Sequence, residues 1–254
     1  MLFYFFTLFL LLHVLYYKTK NKFEKSFFNK YSDFVFLNKF LLPFSNFSIY
    51  LYDKEKIFDY TYYKNLITLQ KNAVIFKDEF LNNFGKFKLT QPGIFRGKFG
   101  YDSNYGYYII KFFGLIQKNQ QHFPQLYKYI STMPNIRSCF ISVMNSKKLI
   151  PLHHGPNKGI LRFHLPLINV NPDQSFLQVE NTKLYWKDHT PFLFDDNFKH
   201  KAIKKDNDLR AVIICDIERK LPYELTCLNK LVLYLLEKDK NTLKTQKKLV
   251  LKKI

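Results

Sequence analysis

ILRFHLPLI, residues 160–168, decides the fold. Side chains along a strand alternate between two faces. Leu161, Phe163, Leu165 and Leu167 therefore form one apolar face, while Arg162 and His164 point together to the other. Two basic groups turned into an apolar barrel are costly unless an anion meets them; the competing reading turns that face to solvent. LRAVIICD at 209–216 repeats the pattern, with Arg210, Val212, Ile214 and Asp216 on a shared face. CFISVM (139–144) and PFLFDD (191–196) are further short apolar runs, and Asn, Asp, Gly and Pro punctuate the gaps after Pro134. Many short strands of this kind make a mainly β chain, a sandwich or double-sheet jelly roll.

Helices flank these strands. Apolar positions at helical spacing predict one helix over Leu69 to Phe84. A second starts at Pro124, whose fixed φ suits a first turn, and runs to Met133. From Tyr223 to Ile254 the text is helical again, Leu-rich at first and then basic, with Lys244, Lys247, Lys248, Lys252 and Lys253.

The 254 residues suit one catalytic domain with appendages, and 47% hydrophobic residues exclude disorder over most of the length. Forty Lys and Arg against 20 Asp and Glu give a formal charge of +20. Nucleic acid and an anionic membrane are the partners such a charge serves. An overall bias towards Phe, Tyr, Lys, Asn and Ile yields the same excess with no partner. The three cysteines, Cys139, Cys215 and Cys227, lack paired spacing and any CxxC, which excludes a disulfide framework and a thiolate zinc site. A reducing compartment fits them.

MLFYFFTLFLLLHVLYY, residues 1–17, contains no acidic residue and no Lys or Arg. As a helix it spans about 26 Å, at the short end for a bilayer core of about 30 Å. It lacks the basic start and small-residue cleavage site of a signal peptide, so the expectation is a retained transmembrane anchor, with a buried core helix as the alternative. Lys18, Lys20, Lys22 and Lys25 follow it and place the body of a single-pass protein on the cytosolic side. The expected organisation is an anchor (1–17), a basic, aromatic juxtamembrane segment (18–70), a catalytic domain (71–221) and a basic C-terminal helix (222–254). FLLPF at 40–44 reads as an interfacial segment or as a linker packed on the domain.

Three features carry chemistry. HHGP (153–156) sets His153 and His154 in a turn between strands, FDDNFKH (194–200) ends on His200, and Arg210 follows ten positions later. Neutral imidazole ligates iron, and an Arg fork grips a carboxylate in two bonds. Singly, such residues have ordinary places in a core or on a solvated face; their order makes a workable iron and 2-oxo-acid site.

HHGPNKGILRFHLPL (153–167), LYWKDHTPFLFDDNFKH (184–200) and LRAVIICDIERKLP (209–222), in that order, resemble the aspartyl/asparaginyl β-hydroxylase domain over Pro134–Leu221. The resemblance implies a double-stranded β-helix (a jelly roll), iron(II) held by His153 and His200, and catalysis with 2-oxoglutarate and dioxygen. It implies 2-oxoglutarate contacts from Ser142, Arg162, His164 and Arg210, and an aromatic position matching Phe112 in YYIIKFFG. YSDFVFLNKFLLPFSNFSIYLY (31–52) and PNIRSCFISVM (134–144) are similar to segments of the membrane-anchored lipid A 2-hydroxylases, a lipid-acting branch of that family. The implied function is hydroxylation of an unactivated carbon in a lipid acyl chain, at a membrane. Peptide aspartyl/asparaginyl hydroxylation is the alternative. A non-catalytic basic protein on membrane or nucleic acid is a third reading, with nucleic acid the disfavoured partner.

One position departs from the usual two-His, one-carboxylate iron set. The carboxylate belongs two residues after His153, where this chain has Gly155. Two histidines completed by water are then expected, with room beside the metal at residue 155. His154 is an alternative ligand, strained by its adjacency to His153.

Overall fold

The computed structural model describes residues 37–90 and 104–249. The anchor expected at 1–17, its basic flank at 18–25, and Lys252 and Lys253 lie outside those residues. Among the described residues no helix is long and apolar enough to cross a membrane.

A π-helical turn (Leu37–Leu41) leads into α1 (Leu42–Tyr52). Then come β1 (Ile57–Phe58), α2 (Lys64–Lys71), α3 (Ala73–Asn83), β2 (Tyr105–Phe112), β3 (Gly114–Leu115) and α4 (Pro124–Ser131). Eight strands follow: β4 (Ile136–Met144), β5 (Lys148–His153), β6 (Ile160–Asn169), β7 (Ser175–Val179), β8 (Thr182–Tyr185), β9 (Phe192–Phe194), β10 (His200–Lys204) and β11 (Arg210–Glu218). Helices α5 (Tyr223–Lys238) and α6 (Lys240–Lys248) end the described chain. By their contacts the described residues form two compact units: 55–90, 104–155, 160–219 and 246–249 in one, and 37–54, 156–159 and 220–245 in the other.

The larger unit is the jelly roll. Strands β4, β6, β9 and β11 lie in a seven-stranded sheet of order β1-β9-β6-β11-β4-β2-β3. Strands β5, β7, β8 and β10 form a four-stranded sheet of order β5-β10-β7-β8. The chain thus passes repeatedly between two antiparallel sheets, as the strand-and-turn pattern predicts. This unit takes in residues from 55 onward, including β1 and α2, which the sequence assigns to a juxtamembrane segment.

Alternation along the central strands divides two cores. Leu161, Phe163, Leu165 and Leu167 of β6 pack with Ile213, Cys215 and Ile217 of β11 and with Phe76, Phe80 and Leu126 of α3 and α4. The opposite face of the sheet, with Phe192, Phe194, Val212 and Ile214, meets Leu177, Val179 and Ala202 of the four-stranded sheet. A one-residue slip of β6 would exchange its faces. Exposing four large apolar side chains costs roughly 6–12 kcal/mol, comparable to the whole net stability of a domain. Register is therefore fixed, and with it the inward aim of Arg162 and His164.

The helix expected over 69–84 is two helices broken at Asn72. Its side-chain amide donates to the Thr68 carbonyl at 2.8 Å and accepts from the Tyr129 hydroxyl at 2.9 Å. Asparagine competes with the backbone for hydrogen bonds, which favours a break. Helix α4 begins at Pro124 as expected, and Glu79 from α3 caps it by accepting from the Gln125 and Leu126 amides at 2.6 and 3.0 Å. Its end at Ser131 is two residues short of the expected one.

In the smaller unit α1 buries Leu42 and Ile49 together with two polar side chains. Ser45 and Asn46 are buried, whereas Phe47, Leu51 and Tyr52 stand exposed. Asn46 explains the orientation: it donates to the Pro156 carbonyl at 2.7 Å and accepts from the Lys158 amide at 2.8 Å. Asn229 on α5 holds the same loop through the Gly159 carbonyl at 2.9 Å. A Cβ at Gly159 would collide with the Asn229 amide, so the strap needs glycine there.

Candidate active site

The site lies on the inner faces of the two sheets. His153 ends β5 and His200 begins β10, and the two are register partners in the four-stranded sheet. Their ring centroids are 4.2 Å apart. Each Nδ1 bonds the carbonyl two residues earlier, Pro151 at 2.7 Å for His153 and Phe198 at 2.8 Å for His200. With its proton committed at Nδ1, a neutral ring carries its basic lone pair on Nε2, the arrangement of a metal-ligating histidine. His154 instead turns its Nδ1 to the Gly155 carbonyl at 2.9 Å. Among the described residues, no cluster of three or more His, Cys, Asp or Glu side chains is poised to hold a metal.

The segments bearing the histidines are clasped together. The Gly155 amide donates to the Asp196 carbonyl at 2.6 Å, and the Asn197 side chain donates to the Gly155 carbonyl at 2.9 Å. Asp195 is buried in an ion pair with Arg219 at 2.7 Å. There is no room at residue 155 for a side chain. A Cβ there would collide with the carboxylate of Asp196, so the expected open space beside residue 155 is filled.

Arg162 and His164 point inward, opposite to the apolar face, as alternation requires. The anions that meet Arg162 are the chain's own: Asp196 at 2.8 Å and Asp216 at 2.7 Å. Burial works against the guanidinium charge, but these two carboxylates outweigh it and raise its pKa. Asp216 also accepts from the Ser138 hydroxyl.

Arg210 is different. It is 1% exposed, and no carboxylate among the described residues pairs with it. Its Nη2 donates to the Ser142 hydroxyl at 2.9 Å, and its guanidinium lies 4.3 Å from the centre of the Trp186 ring. Its Nε is buried with no hydrogen-bond partner among the described residues. Burial pushes its pKa down to about 10, against the pull of Tyr105 and Tyr107.

His164 is the second buried group with an orphaned atom. The Trp186 indole donates to its Nδ1 at 3.0 Å, which makes Nδ1 the acceptor and puts the ring proton on Nε2. That Nε2 is buried without a partner among the described residues. Burial, then the nearby charges of Arg162 and Arg210, hold the ring neutral, with a pKa well below the ordinary value of 6.5. Phe194 connects the two halves of the site, with ring centroids 5.4 Å from His164 and 5.3 Å from His200.

The structure thus brings His153, His200, Ser142, Arg162, His164 and Arg210 to the inner faces of the jelly roll. Phe112 lies at the end of β2, opposite Ser138; the aromatic opposite Ser142 is Tyr107, whose hydroxyl meets that of Tyr105. Sequence reading missed Trp186, Asp196 and these tyrosines. Asp216 already shared a face with Arg210 by alternation, and Trp186 is the chain's one tryptophan; both were legible. Asp196 reaches the site through a loop, which no periodicity marks.

A family model for aspartyl/asparaginyl β-hydroxylases matches residues 79–220. The ornithine lipid ester-linked acyl 2-hydroxylase of Rhizobium tropici is 28% identical over 106 residues, 41% of this chain and 38% of that protein. The match therefore spans less than two-fifths of that relative's length. Among solved structures, the non-heme α-ketoglutarate-dependent epimerase SnoN aligns over 59% of this chain and 72% of its own, at 7% identity and a TM-score of 0.38. The Cnp3 cupin domain of Schizosaccharomyces pombe aligns over 37% and 60% respectively, at 12% identity and a TM-score of 0.29.

Proposed function

The chain belongs to the aspartyl/asparaginyl β-hydroxylase family, and from that premise we propose that it is an iron(II)- and 2-oxoglutarate-dependent oxygenase that hydroxylates a lipid acyl chain. One observation carries the reading. The cross-strand pair His153 and His200, each fixed through Nδ1, shares the barrel interior with two buried donors that have no partner among the described residues, Arg210 Nε and His164 Nε2. Leaving a buried donor unmade costs about 1–3 kcal/mol, more for a charged group. A carboxylate placed between the sheets removes that cost at both. The donor set therefore fits an iron and a dicarboxylate together.

His153 and His200 would hold the metal through Nε2. Iron bound there supplies dioxygen activation coupled to oxidative decarboxylation of 2-oxoglutarate. Arg210 supplies the fork for a co-substrate carboxylate, with Ser142 holding the guanidinium through Nη2. His164, held neutral, donates a hydrogen bond without adding charge. Arg162 positions the Asp196 and Asp216 loops and strands, its own charge already met. Phe140, Phe192 and Phe194 make the surroundings apolar and exclude water from the reacting region.

The lipid substrate is supported by the relative's activity on an ester-linked acyl chain and by α1. An exposed helix face of Phe47, Tyr50, Leu51 and Tyr52 bracketed by Lys39 and Lys54 suits an anionic bilayer surface. It adds to the membrane anchor read from residues 1–17 and agrees with a cytosolic, membrane-bound enzyme. The test is succinate release from 2-oxoglutarate by iron-loaded protein against acyl lipids and against Asp- and Asn-containing peptides. Stimulation by acyl lipids is expected; stimulation by peptides alone would overturn the lipid reading.

A further inference from the structure

Trp186 touches both residues that carry the orphaned donors. Its indole N–H bonds His164 Nδ1 at 3.0 Å with the two rings nearly parallel, 12° apart, and its face lies 4.3 Å from the Arg210 guanidinium. The indole is itself pinned. Asn169, the register partner of Arg210 on β6, donates from its side chain to the Trp186 carbonyl at 2.6 Å, and its backbone amide donates to Asp188 at 2.7 Å. The turn after β8 is thereby tied to the end of β6, and Trp186 is 1% exposed.

We propose that Trp186 is the positioning residue of the co-substrate site: its N–H selects the His164 tautomer that donates from Nε2, and its ring face sets the Arg210 guanidinium. The physical case is one of alternatives removed. Without a donor at Nδ1, a neutral His164 is free to carry its proton there and present an acceptor lone pair from Nε2, which repels a carboxylate. Without a flat partner, the long Arg210 side chain regains rotamers that its single bond to Ser142 does not exclude. One indole closes both options before any ligand arrives, and binding is stronger where this ordering is already done.

This inference rests on the reading that Arg210 and His164 take a carboxylate, and the experiment separates the two. Trp186 is the chain's one tryptophan, so its emission reports on this site alone. 2-Oxoglutarate is titrated into manganese-loaded protein, followed by calorimetry and by tryptophan fluorescence. Both signals should saturate together. Trp186→Phe keeps a ring but loses the N–H, and its calorimetric affinity should fall about tenfold, the loss of one hydrogen bond of about 1.4 kcal/mol. His164→Leu should weaken binding as well. The double variant should bind no more weakly than His164→Leu alone, since the N–H acts through that imidazole. Calorimetric binding with unchanged tryptophan emission would overturn the proposal, as would full affinity in Trp186→Phe or losses that simply add. No calorimetric binding by the parent protein would instead remove the carboxylate-site premise, and the proposal with it.

Discussion

Gly155 and Asp196 share one volume: the carboxylate of Asp196 fills the space that a side chain at residue 155 would need. From sequence alone, glycine at this position suggests vacant room where an added aspartate would become a third iron ligand. The structure gives the opposite expectation. Gly155→Asp should drive Asp196 away from Arg162 and break a buried ion pair. Overpacking costs about 1–3 kcal/mol, and stranding a buried charge adds to it. Thermal unfolding should show a lowered Tm for Gly155→Asp, and a Tm recovered at least in part by combining it with Asp196→Gly. An unchanged Tm in the single variant would refute the shared-volume account.

The histidine pair makes a direct prediction. His200→Ala and His153→Ala should each abolish manganese binding measured by electron paramagnetic resonance and iron-dependent succinate formation. His153 is only partly buried, so His153→Ala should melt close to the parent. His200 is buried against Phe194, so His200→Ala should lose some Tm, and metal binding below that Tm is the deciding readout. Retained metal binding in either variant would end the assignment of that residue as a ligand.

Arg210→Lys keeps a charge and loses the fork. Lysine cannot bond Ser142 and a carboxylate in the same geometry or stack flat on Trp186. A charge-assisted bond is worth about 1.5–3 kcal/mol, so 2-oxoglutarate affinity should drop roughly 10–100-fold. Arg162→Lys tests the contrast, because Arg162 is paired with Asp196 and Asp216. It should lower Tm more than it alters 2-oxoglutarate affinity. Calorimetry and melting curves of the two variants check both statements.

His164 also predicts a pH dependence of stability. Its folded pKa lies well below the ordinary 6.5 because burial, Arg162 and Arg210 oppose a charge on the ring. As pH falls below about 6.5 the unfolded chain takes up a proton that the folded ring refuses. Stability present above that pH is then lost on acidification, at up to about 1.4 kcal/mol per pH unit. His164→Leu removes the proton-binding difference. The fall in Tm from pH 7.5 to 5.5 should be smaller in the variant than in the parent; equal falls would show that His164 is charged in the folded state.

The exposed face of α1 predicts a membrane contribution separable from residues 1–17. Phe47→Ser and Leu51→Ser together should reduce sedimentation of the protein with anionic vesicles, most clearly when residues 1–17 are removed. Both side chains are exposed, so stability should hardly change. Unaltered vesicle binding would leave α1 without that role.

How much of this was legible in sequence depends on whether a residue's role follows from period or from space. Alternation put Leu161 and Phe163 on one face and Arg162 and His164 on the other, because a strand has no other way to distribute its side chains. It could not tell which anion meets Arg162, since Asp196 arrives from the loop between β9 and β10 and Asp216 from the neighbouring strand. The strands of the four-stranded sheet were hard to read for a related reason. KLIPLH in β5 is largely exposed and HKAIK in β10 mixes Lys with Ala, so neither shows a clean apolar period. Asn72 and Asn46 show the same limit for helices. One breaks a helix and the other buries a polar side chain in one, through bonds to partners distant in sequence.

The carbonyl ties of His153 and His200 have a consequence for how such a centre persists as sequences drift. Each imidazole is steered at Nδ1 by its own backbone, through the carbonyl two residues back. Substitutions around the pair can therefore accumulate without rotating the rings, provided the two strands keep their pairing. The aim of both nitrogens is inherited from the path of the main chain. Pro151–His153 and Phe198–His200 are in this sense two short cassettes, transferable to any antiparallel pair of strands that brings their ends side by side.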